Sequence, residues 1–212
     1  MRWVYQHAKE YGFDTTKLVV DGHSTDRTVE IARSFPGVRL LPQPGRGLPA
    51  ALNFGIASAR GDWIALLEHD DVWTPEKLRT QIAFMLARPE LQFTMTHARF
   101  FLEPGCAWPS GYNPDWLKEP QLGAILSSFV ARKTVFEQVG EFDGRLKYAG
   151  DMDWFARAKD LHVPMAYLEE MLLRKRVHDR NATSQAQLSN AELLNVIKRK
   201  LDRKRTIEST HA

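Results

Sequence analysis

Residues 63–71 read Trp63-Ile64-Ala65-Leu66-Leu67-Glu68-His69-Asp70-Asp71, an unbroken apolar run that ends in four polar or acidic side chains. A short apolar run of this kind is typical of a strand that is buried on both faces of a parallel sheet. In open sheets flanked by helices, ligands bind beyond the carboxyl ends of the strands. The run therefore predicts a strand whose end carries a functional site, and Glu68, Asp70 and Asp71 are called the acidic cluster below.

The segments before this run alternate between strand and helix patterns. Residues 17–20 and 38–41 are short β-rich runs, and residues 29–35 and 49–59 carry apolar side chains at helical spacing. Such alternation predicts an α/β fold, a three-layer α/β/α sandwich with a mostly parallel central sheet. Because parallel strands end at a common edge, Asp21, which follows the first run, is expected on the same edge as the acidic cluster.

The composition excludes several classes of protein. Of the 212 residues, 43% are hydrophobic and 26% are charged, as in ordinary globular domains. A formal net charge of +3 is too small to indicate nucleic-acid binding. Cys106 is the single cysteine, which rules out an internal disulfide. The sequence has no signal-peptide pattern and no long apolar span, so we expect a cytoplasmic protein, at most peripheral at the inner face of a membrane.

The acidic cluster has two interpretations at this point. Carboxylates crowded at a strand end repel one another, and such clusters persist mainly where a cation compensates them. Oxygen ligands suit Mg²⁺ or Mn²⁺, and Mg²⁺ is commonly bound by one or two carboxylates together with substrate phosphates. This interpretation predicts a nucleotide diphosphate as ligand. The other interpretation is an acidic turn that caps the helix beginning near Pro75.

Five runs along the chain carry a family resemblance. They lie at residues 19–28, 45–55 and 59–73 in the first half, and at 131–143 and 150–154 in the second. Their order and spacing resemble those of family 2 glycosyltransferases, which are inverting enzymes with the GT-A fold. The resemblance implies a nucleotide-sugar donor, a saccharide or lipid-linked acceptor, no nucleic-acid partner, and a role in bacterial surface polysaccharide or glycolipid synthesis.

The resemblance implies roles for residues of the donor half. Asp21 corresponds to an aspartate that contacts the nucleotide base or ribose, and Gly22, Arg46 and Asn53 fall in the substrate-binding part of the pattern. Glu68 stands where the DxD motif more often has Asp, and it is expected at the ribose. The second acidic position of that motif, Asp70, is expected to hold Mg²⁺ or Mn²⁺ at the donor's diphosphate.

The acceptor half supplies the remaining candidates. Asp151 matches the proposed catalytic base, and Asp153 and Trp154 belong to the same motif and are expected to bind substrate. Arg176 is expected at the diphosphate, and His178 at a phosphate oxygen or as a second metal ligand. From position alone, Asp151 is also a carboxylate favoured by the dipole at a helix start, and His178 is also an ordinary surface histidine.

One element of the family pattern does not appear in this sequence. The family begins with a strand that precedes a helix, whereas residues 2–11 already carry a helix pattern. That strand is central in the sheet, so we expect two exposed strand edges and an incomplete base pocket. The alternative to an active enzyme is a glycosyltransferase-like binding or regulatory protein with weakened catalysis.

The C-terminal part predicts a basic amphipathic helix over residues 188–205. Its apolar positions are Leu193, Leu194, Ile197 and Leu201. We expect a GT-A-like glycosyltransferase domain over residues 1–185, followed by this helix and a tail over residues 186–212. A helix of this composition binds a membrane surface, or it packs against protein, including a second copy in a homodimer.

Overall fold

Strands and helices alternate along the chain. The computed structural model describes residues 17–109, 112–123, 125–179, 181 and 186–210. The strands are β1 (Lys17–Asp21), β2 (Val38–Pro42), β3 (Trp63–Ala65), β4 (Val72–Trp73), β5 (Phe93–Leu102), β6 (Val130–Arg132) and β7 (Met165–Val177). The helices are α1 (Thr28–Ser34), α2 (Leu48–Ser58), α3 (Lys77–Leu86), α4 (Val135–Val139), α5 (Gly150–Asp160) and α6 (Ala186–Thr210), with 3₁₀ helices at Pro114–Leu117 and Leu126–Ser128. The helix expected at residues 2–11 lies outside the described residues.

The strands form two hydrogen-bonded sheets. β1 and β2 pair in parallel, and the other strands follow the order β3-β6-β5-β7-β4. The longest pairing, β5 with β7, is parallel, whereas β3–β6, β5–β6 and β4–β7 are antiparallel. The central sheet is therefore mixed rather than mostly parallel. Apolar runs do not encode strand direction, and the short β4 and β6 enter the sheet without the helical crossover that enforces parallel pairing.

Side chains alternate between the two faces of the central sheet. Ile64, Phe93 and Ala131 belong to a buried cluster with residues of α2, α4 and α5. The neighbouring positions Ala65 and Val130 instead pack with residues of α3. Helices therefore cover both faces, as expected where consecutive side chains of a strand point to opposite sides. The predicted three-layer α/β class is confirmed.

The core on the α5 side is built from aromatic rings around Trp154. This side chain is fully buried, and its ring lies 5.5 Å from Phe129 and 5.7 Å from Phe142. Its indole Nε1 donates a hydrogen bond to the Gly140 carbonyl oxygen at 2.9 Å. Aromatic pairs at these distances add to the free energy of area burial. The ring cluster thus fixes α5 against the sheet.

Helix α2 connects the two sheets. A Cβ at Gly55 would lie 3.3 Å from Val20 of β1, so the absence of a side chain lets the helix approach that strand. One residue later, Ile56 joins the core of the central sheet. Within the described residues, β1 pairs only with β2, and β3 only with β6. β1 and β3 therefore each have one edge without a strand partner among the described residues, and the expectation of two exposed edges stays a prediction.

Helix α6 packs through one face. Val196 is buried against Leu146 and Ala149, and Arg199 forms a 2.9 Å ion pair with Asp143. The opposite face exposes Leu194, Ile197 and Leu201. The domain boundary expected at residue 185 stays a prediction. In the described part of the chain, no helix has the length and apolar character needed to cross a bilayer.

Candidate active site

The acidic cluster lies just beyond the carboxyl end of β3. A turn is closed by a hydrogen bond from the Asp71 amide to the Glu68 carbonyl oxygen at 3.2 Å. The Glu68 amide donates to the hydroxyl of buried Ser127 at 3.0 Å, which ties the turn to the 3₁₀ helix at residues 126–128. The side chain of Asp71 has no exposed surface, whereas the side chains of Glu68 and Asp70 are both partly exposed.

Lys175 is the cation at the centre of this cluster. Its ammonium group lies 2.8 Å from the Glu68 carboxylate and 3.1 Å from that of Asp71. Burial opposes the charged amine, but the two carboxylates outweigh burial and raise the pKa of Lys175 above its ordinary value. For Asp71 burial dominates, and the pKa of this carboxyl is raised despite Lys175. Lys175 therefore compensates part of the negative charge of the cluster, for which the sequence pattern indicated a metal cation.

Asp70 faces away from Lys175 and toward the residues that follow β7. Its Oδ2 lies 3.2 Å from Nε2 of His178 and accepts a hydrogen bond from the side-chain Nδ2 of Asn181 at 3.1 Å. Among the described residues, no three His, Cys, Asp or Glu side chains gather as a ready-made metal cage. Two protein donors with phosphate oxygens and water are nevertheless a normal environment for Mg²⁺ or Mn²⁺. The Asp70–His178 pair fits such an ion.

Arg176 joins the acidic cluster to the end of β5. Its guanidinium donates to the Asp70 carbonyl oxygen at 3.0 Å and pairs with the Glu103 carboxylate. Its backbone amide donates to the Asp71 carboxylate at 3.2 Å. Arg176 thus lies at the cluster, where the sequence analysis expected a diphosphate.

Asp151 occupies the first turn of α5 and approaches the same cluster from another layer. Its half-buried carboxylate accepts a hydrogen bond from the Met152 amide at 2.7 Å. Desolvation, with a further contribution from the negative charge of Glu68, raises the pKa of Asp151 to about 6. Lys175 acts in the opposite direction. A carboxyl with this pKa is suited to accept a proton near neutral pH.

The start of α5 is held by a side chain from α6. Glu192 accepts hydrogen bonds from the amides of Lys147, Tyr148 and Ala149 at 3.0, 2.7 and 3.0 Å. Burial opposes its ionisation, but these donors outweigh burial and lower the pKa of Glu192. Helix starts leave backbone N–H groups without partners, and a carboxylate there also interacts favourably with the helix dipole. Glu192 therefore fixes the segment that leads into Asp151.

The donor-half candidates lie at the end of β1 and in the loop after β2. Asp21 ends β1, and its carboxylate accepts a hydrogen bond from the Ser24 amide at 3.3 Å. Gly22 is exposed, and a Cβ there would lie 3.2 Å from the side chain of Gln43. Arg46 is exposed. The hydrogen bonds among the described residues do not link these three positions to the acidic cluster.

Three residues expected to bind substrate make contacts within the protein, and their substrate role stays a prediction. Asn53 uses both ends of its amide on the backbone of Phe142, each at 2.9 Å. Asp153 is buried and forms a 2.8 Å ion pair with Arg157, and Trp154 lies inside the aromatic core. The physical reason is helical geometry, because side chains two and three residues after Asp151 project to other sides of α5. The contacts of Asn53, Asp153 and Trp154 stabilise the positions of α2 and α5.

Sequence reasoning missed the partners that complete the site. Three of these partners, Lys175, Ser127 and Asn181, contact the acidic cluster across 59 to 111 positions of sequence. The fourth, Glu192, contacts the segment before α5 across more than 40 positions. Spacing rules cannot reveal such contacts. One signal in the sequence could have pointed to Lys175. Side chains alternate along a strand, so Lys175 lies on the opposite face of β7 from Arg174 and Arg176.

Solved structures share this fold. Mannosyl-3-phosphoglycerate synthase from Rubrobacter xylanophilus has a TM-score of 0.64 at 16% identity, covering 95% of this chain and 68% of its own. Glucosyl-3-phosphoglycerate synthase from Mycobacterium tuberculosis, in complex with Mn²⁺, UDP-glucose and phosphoglyceric acid, has a TM-score of 0.61 at 17% identity, covering 86% of this chain and 67% of its own. The layered α/β fold of this chain is therefore the GT-A fold.

The family follows from the sequence comparison. The chain belongs to glycosyl transferase family 2, whose profile matches residues 7–139. An uncharacterized glycosyltransferase of Rickettsia typhi is 30% identical over 194 residues, which cover 84% of this chain and 60% of that protein. The present chain thus spans about 60% of that relative's length. The family resemblance and the GT-A fold expected from the sequence are both confirmed.

Proposed function

We propose that this protein is a metal-dependent, inverting glycosyltransferase that moves a sugar from a nucleotide-diphosphate sugar to an acceptor hydroxyl. The observation that carries the proposal is the position of Asp151. Its carboxylate, with a pKa raised to about 6, interacts electrostatically with Glu68 and Lys175 at the acidic cluster. This position supports Asp151 as a base beside the acidic cluster, where we propose that the donor binds.

Donor binding is assigned to the acidic cluster and to the end of β1. Asp70 and His178 would hold Mg²⁺ or Mn²⁺, since a carboxylate oxygen and an imidazole nitrogen lie 3.2 Å apart there. The mycobacterial enzyme of the same fold was crystallised with Mn²⁺ and UDP-glucose, which favours a nucleotide-sugar donor here. Asp21, Gly22 and Arg46 would contact the nucleotide.

The reaction needs one proton transfer and one displacement. The Asp151 carboxylate takes the proton of the acceptor hydroxyl while its oxygen attacks the anomeric carbon of the donor. The bond from that carbon to the diphosphate breaks, and its electron pair leaves with the phosphate oxygen. A single displacement inverts the configuration of the sugar. A divalent metal, when bound, supplies positive charge near the leaving diphosphate.

The proposal also includes the chemical class of the acceptor. We propose a saccharide or lipid-linked acceptor and a role in bacterial surface polysaccharide or glycolipid synthesis. The exposed apolar residues of α6 support contact with a membrane surface, because a helix face with apolar and basic residues suits the interface of an anionic bilayer. A homodimer formed through the same face remains the competing proposal.

Calorimetric titration tests the donor site. UDP, GDP and dTDP are titrated into the protein with and without Mn²⁺. We expect one nucleotide to bind in the presence of Mn²⁺, and Asp70→Ala to weaken that binding at least about tenfold. Glu30→Ala removes an exposed carboxylate that pairs with Arg27 and serves as the matched control. Failure of all three nucleotides to bind would contradict the proposal.

Turnover distinguishes the enzyme from a binding protein. Release of nucleotide diphosphate from the corresponding nucleotide sugar is measured in the presence of a panel of acceptor saccharides, with wild-type protein and with Asp151→Asn. Turnover that disappears in the variant while nucleotide binding persists supports the enzyme. Nucleotide binding without turnover in the wild-type protein would support the alternative of a binding or regulatory role.

A further inference from the structure

The loop between β5 and the bridge residue Gln121 returns to the sheet beside the candidate active site. It leaves at Glu103, whose amide donates to the Val177 carbonyl oxygen at 2.9 Å. It ends where Gln121 and Ala98 exchange backbone hydrogen bonds of 2.7 and 2.9 Å. Both ends are therefore fixed to β5 and β7, and β7 carries Lys175 and Arg176.

This loop carries a row of aromatic rings. Ring centroids are 5.2 Å apart for Phe100 and Trp116, 5.3 Å for Trp116 and Tyr112, and 5.6 Å for Tyr112 and Trp108. The Trp108 Nε1 donates to the Tyr112 carbonyl oxygen at 3.1 Å, which fixes the far end of the row. Trp108, Tyr112 and Trp116 are called the aromatic platform below.

The register of β5 and β7 places one end of the row at the acidic cluster. Phe100 is the direct partner of Lys175 in the parallel pairing. Residues in register point to the same face of a sheet, so the Phe100 ring lies on the face from which Lys175 contacts Glu68 and Asp71. The aromatic platform therefore continues a row of rings that begins beside Lys175, the cation of the acidic cluster.

The aromatic platform differs from the aromatic core around Trp154. Core rings such as Phe129 and Trp154 are almost wholly buried, whereas each ring of the platform is only partly buried. Its chain segment is rich in Pro, Gly and Trp, and the described part contains one short 3₁₀ helix, whose Trp116 packs on Phe100 of β5. Partly exposed rings that are fixed by their neighbours are suited to bind a ligand with little loss of side-chain entropy.

Aromatic faces are selective for one class of acceptor. The face of an aromatic ring carries partial negative charge, which attracts the weakly positive C–H groups on the flat side of a sugar ring. We propose that the aromatic platform binds a saccharide, the acceptor of the transfer. The inference rests on the proposed function and adds the chemical class of the acceptor and its binding residues.

The experiment measures saccharide binding directly. Labelled wild-type protein is applied to an array of immobilised oligosaccharides in the presence of Mn²⁺ and each nucleotide diphosphate, and the best ligand is titrated in solution. We expect Trp108→Ala and Trp116→Ala to weaken saccharide binding about tenfold, since a stacked ring contributes roughly this much. Nucleotide binding, measured separately, should be unchanged.

Control variants distinguish the loss of a saccharide-binding ring from a general destabilisation of the loop. Leu117→Ala removes an exposed apolar side chain from the same 3₁₀ helix without removing a ring, and it should bind saccharide as the wild type does. If an alanine variant does not fold, the corresponding Trp→Leu variant, which removes the ring but keeps an apolar side chain, is judged by the same loss of saccharide affinity. Wild-type protein that binds nucleotide but no saccharide, or ring variants with undiminished saccharide affinity, would overturn the inference. Absence of nucleotide binding would instead count against the proposed function.

Discussion

Asp151 is the residue whose protonation should set the pH dependence of the reaction. A general base works as the carboxylate, so activity should fall as the pH drops through about 6, the raised pKa of Asp151. Asp151→Asn should lower kcat by about 10² to 10⁴-fold without weakening nucleotide binding. Initial rates from pH 4 to pH 9 check both expectations. A pH profile that is flat across pH 6, or an active Asn variant, would contradict the role of Asp151.

Lys175 should modulate the same titration. Its positive charge lowers the pKa of Asp151, and Glu68 raises it. Lys175→Met removes this positive charge, so we expect the pKa of Asp151 to rise and the acidic limb of the rate profile to move to higher pH. Loss of a partner from a buried ion pair should also lower the unfolding free energy by about 3 to 5 kcal/mol.

The control for Lys175 is Lys118→Met, which removes an exposed lysine that pairs with Asp115. This variant should keep the wild-type pH profile. If Lys175→Met folds and its acidic limb stays at the wild-type position, then Lys175 does not act on the base.

At the scale of elements, α6 and α5 are joined by Glu192. In Glu192→Ala three amides before α5 lose their acceptor, and we expect a loss of about 2 kcal/mol in unfolding free energy. Activity should fall as well, because these amides lead directly into Asp151. Chemical denaturation and initial rates check the prediction, with Asn195→Ala, an exposed position on α6, as control. Equal stability of both variants would show that the contact contributes nothing.

The outer face of α6 provides a second prediction at this scale. Leu194, Ile197 and Leu201 are 67%, 46% and 52% exposed and lie near Lys198 on the same helix. The wild-type protein should float with anionic vesicles at low salt, and the variant L194S/I197S/L201S should not. The same variant is examined by sedimentation, since a dimer that is lost on substitution would favour the homodimer. A wild-type protein that stays behind in the flotation gradient would exclude the membrane contact.

At the scale of the whole molecule, Asn53 links α2 to the second half of the chain. Its two hydrogen bonds to Phe142 predict that Asn53→Ala lowers the unfolding free energy by about 1 to 3 kcal/mol. Nucleotide affinity should be unchanged, because both ends of the amide are engaged by the protein backbone. Thermal unfolding and calorimetry measure the two quantities. Weakened nucleotide binding at unchanged stability would restore the substrate role expected from the sequence.

The same residues show how far sequence reasoning reaches. The apolar run before Glu68 and the helix start at Asp151 are local patterns, so the layered α/β fold and the two acidic positions could be predicted. Trp154 belongs to a family motif, but a motif does not state which face of a helix a side chain occupies. Lys175 was missed because its partners lie more than 100 positions away in the chain. The mixed direction of the central sheet was missed because short strands carry no directional signal.

The link between Glu192 and α5 also has a consequence for the order in which the molecule matures. The chain is synthesised from its N-terminus, so every strand of the sheet and Asp151 itself leave the ribosome before Glu192. Until α6 docks, the amides of Lys147, Tyr148 and Ala149 lack their carboxylate, and the segment before Asp151 is free to fray. We therefore expect Asp151, the proposed base, to take its final position late in folding, after the sheet has formed.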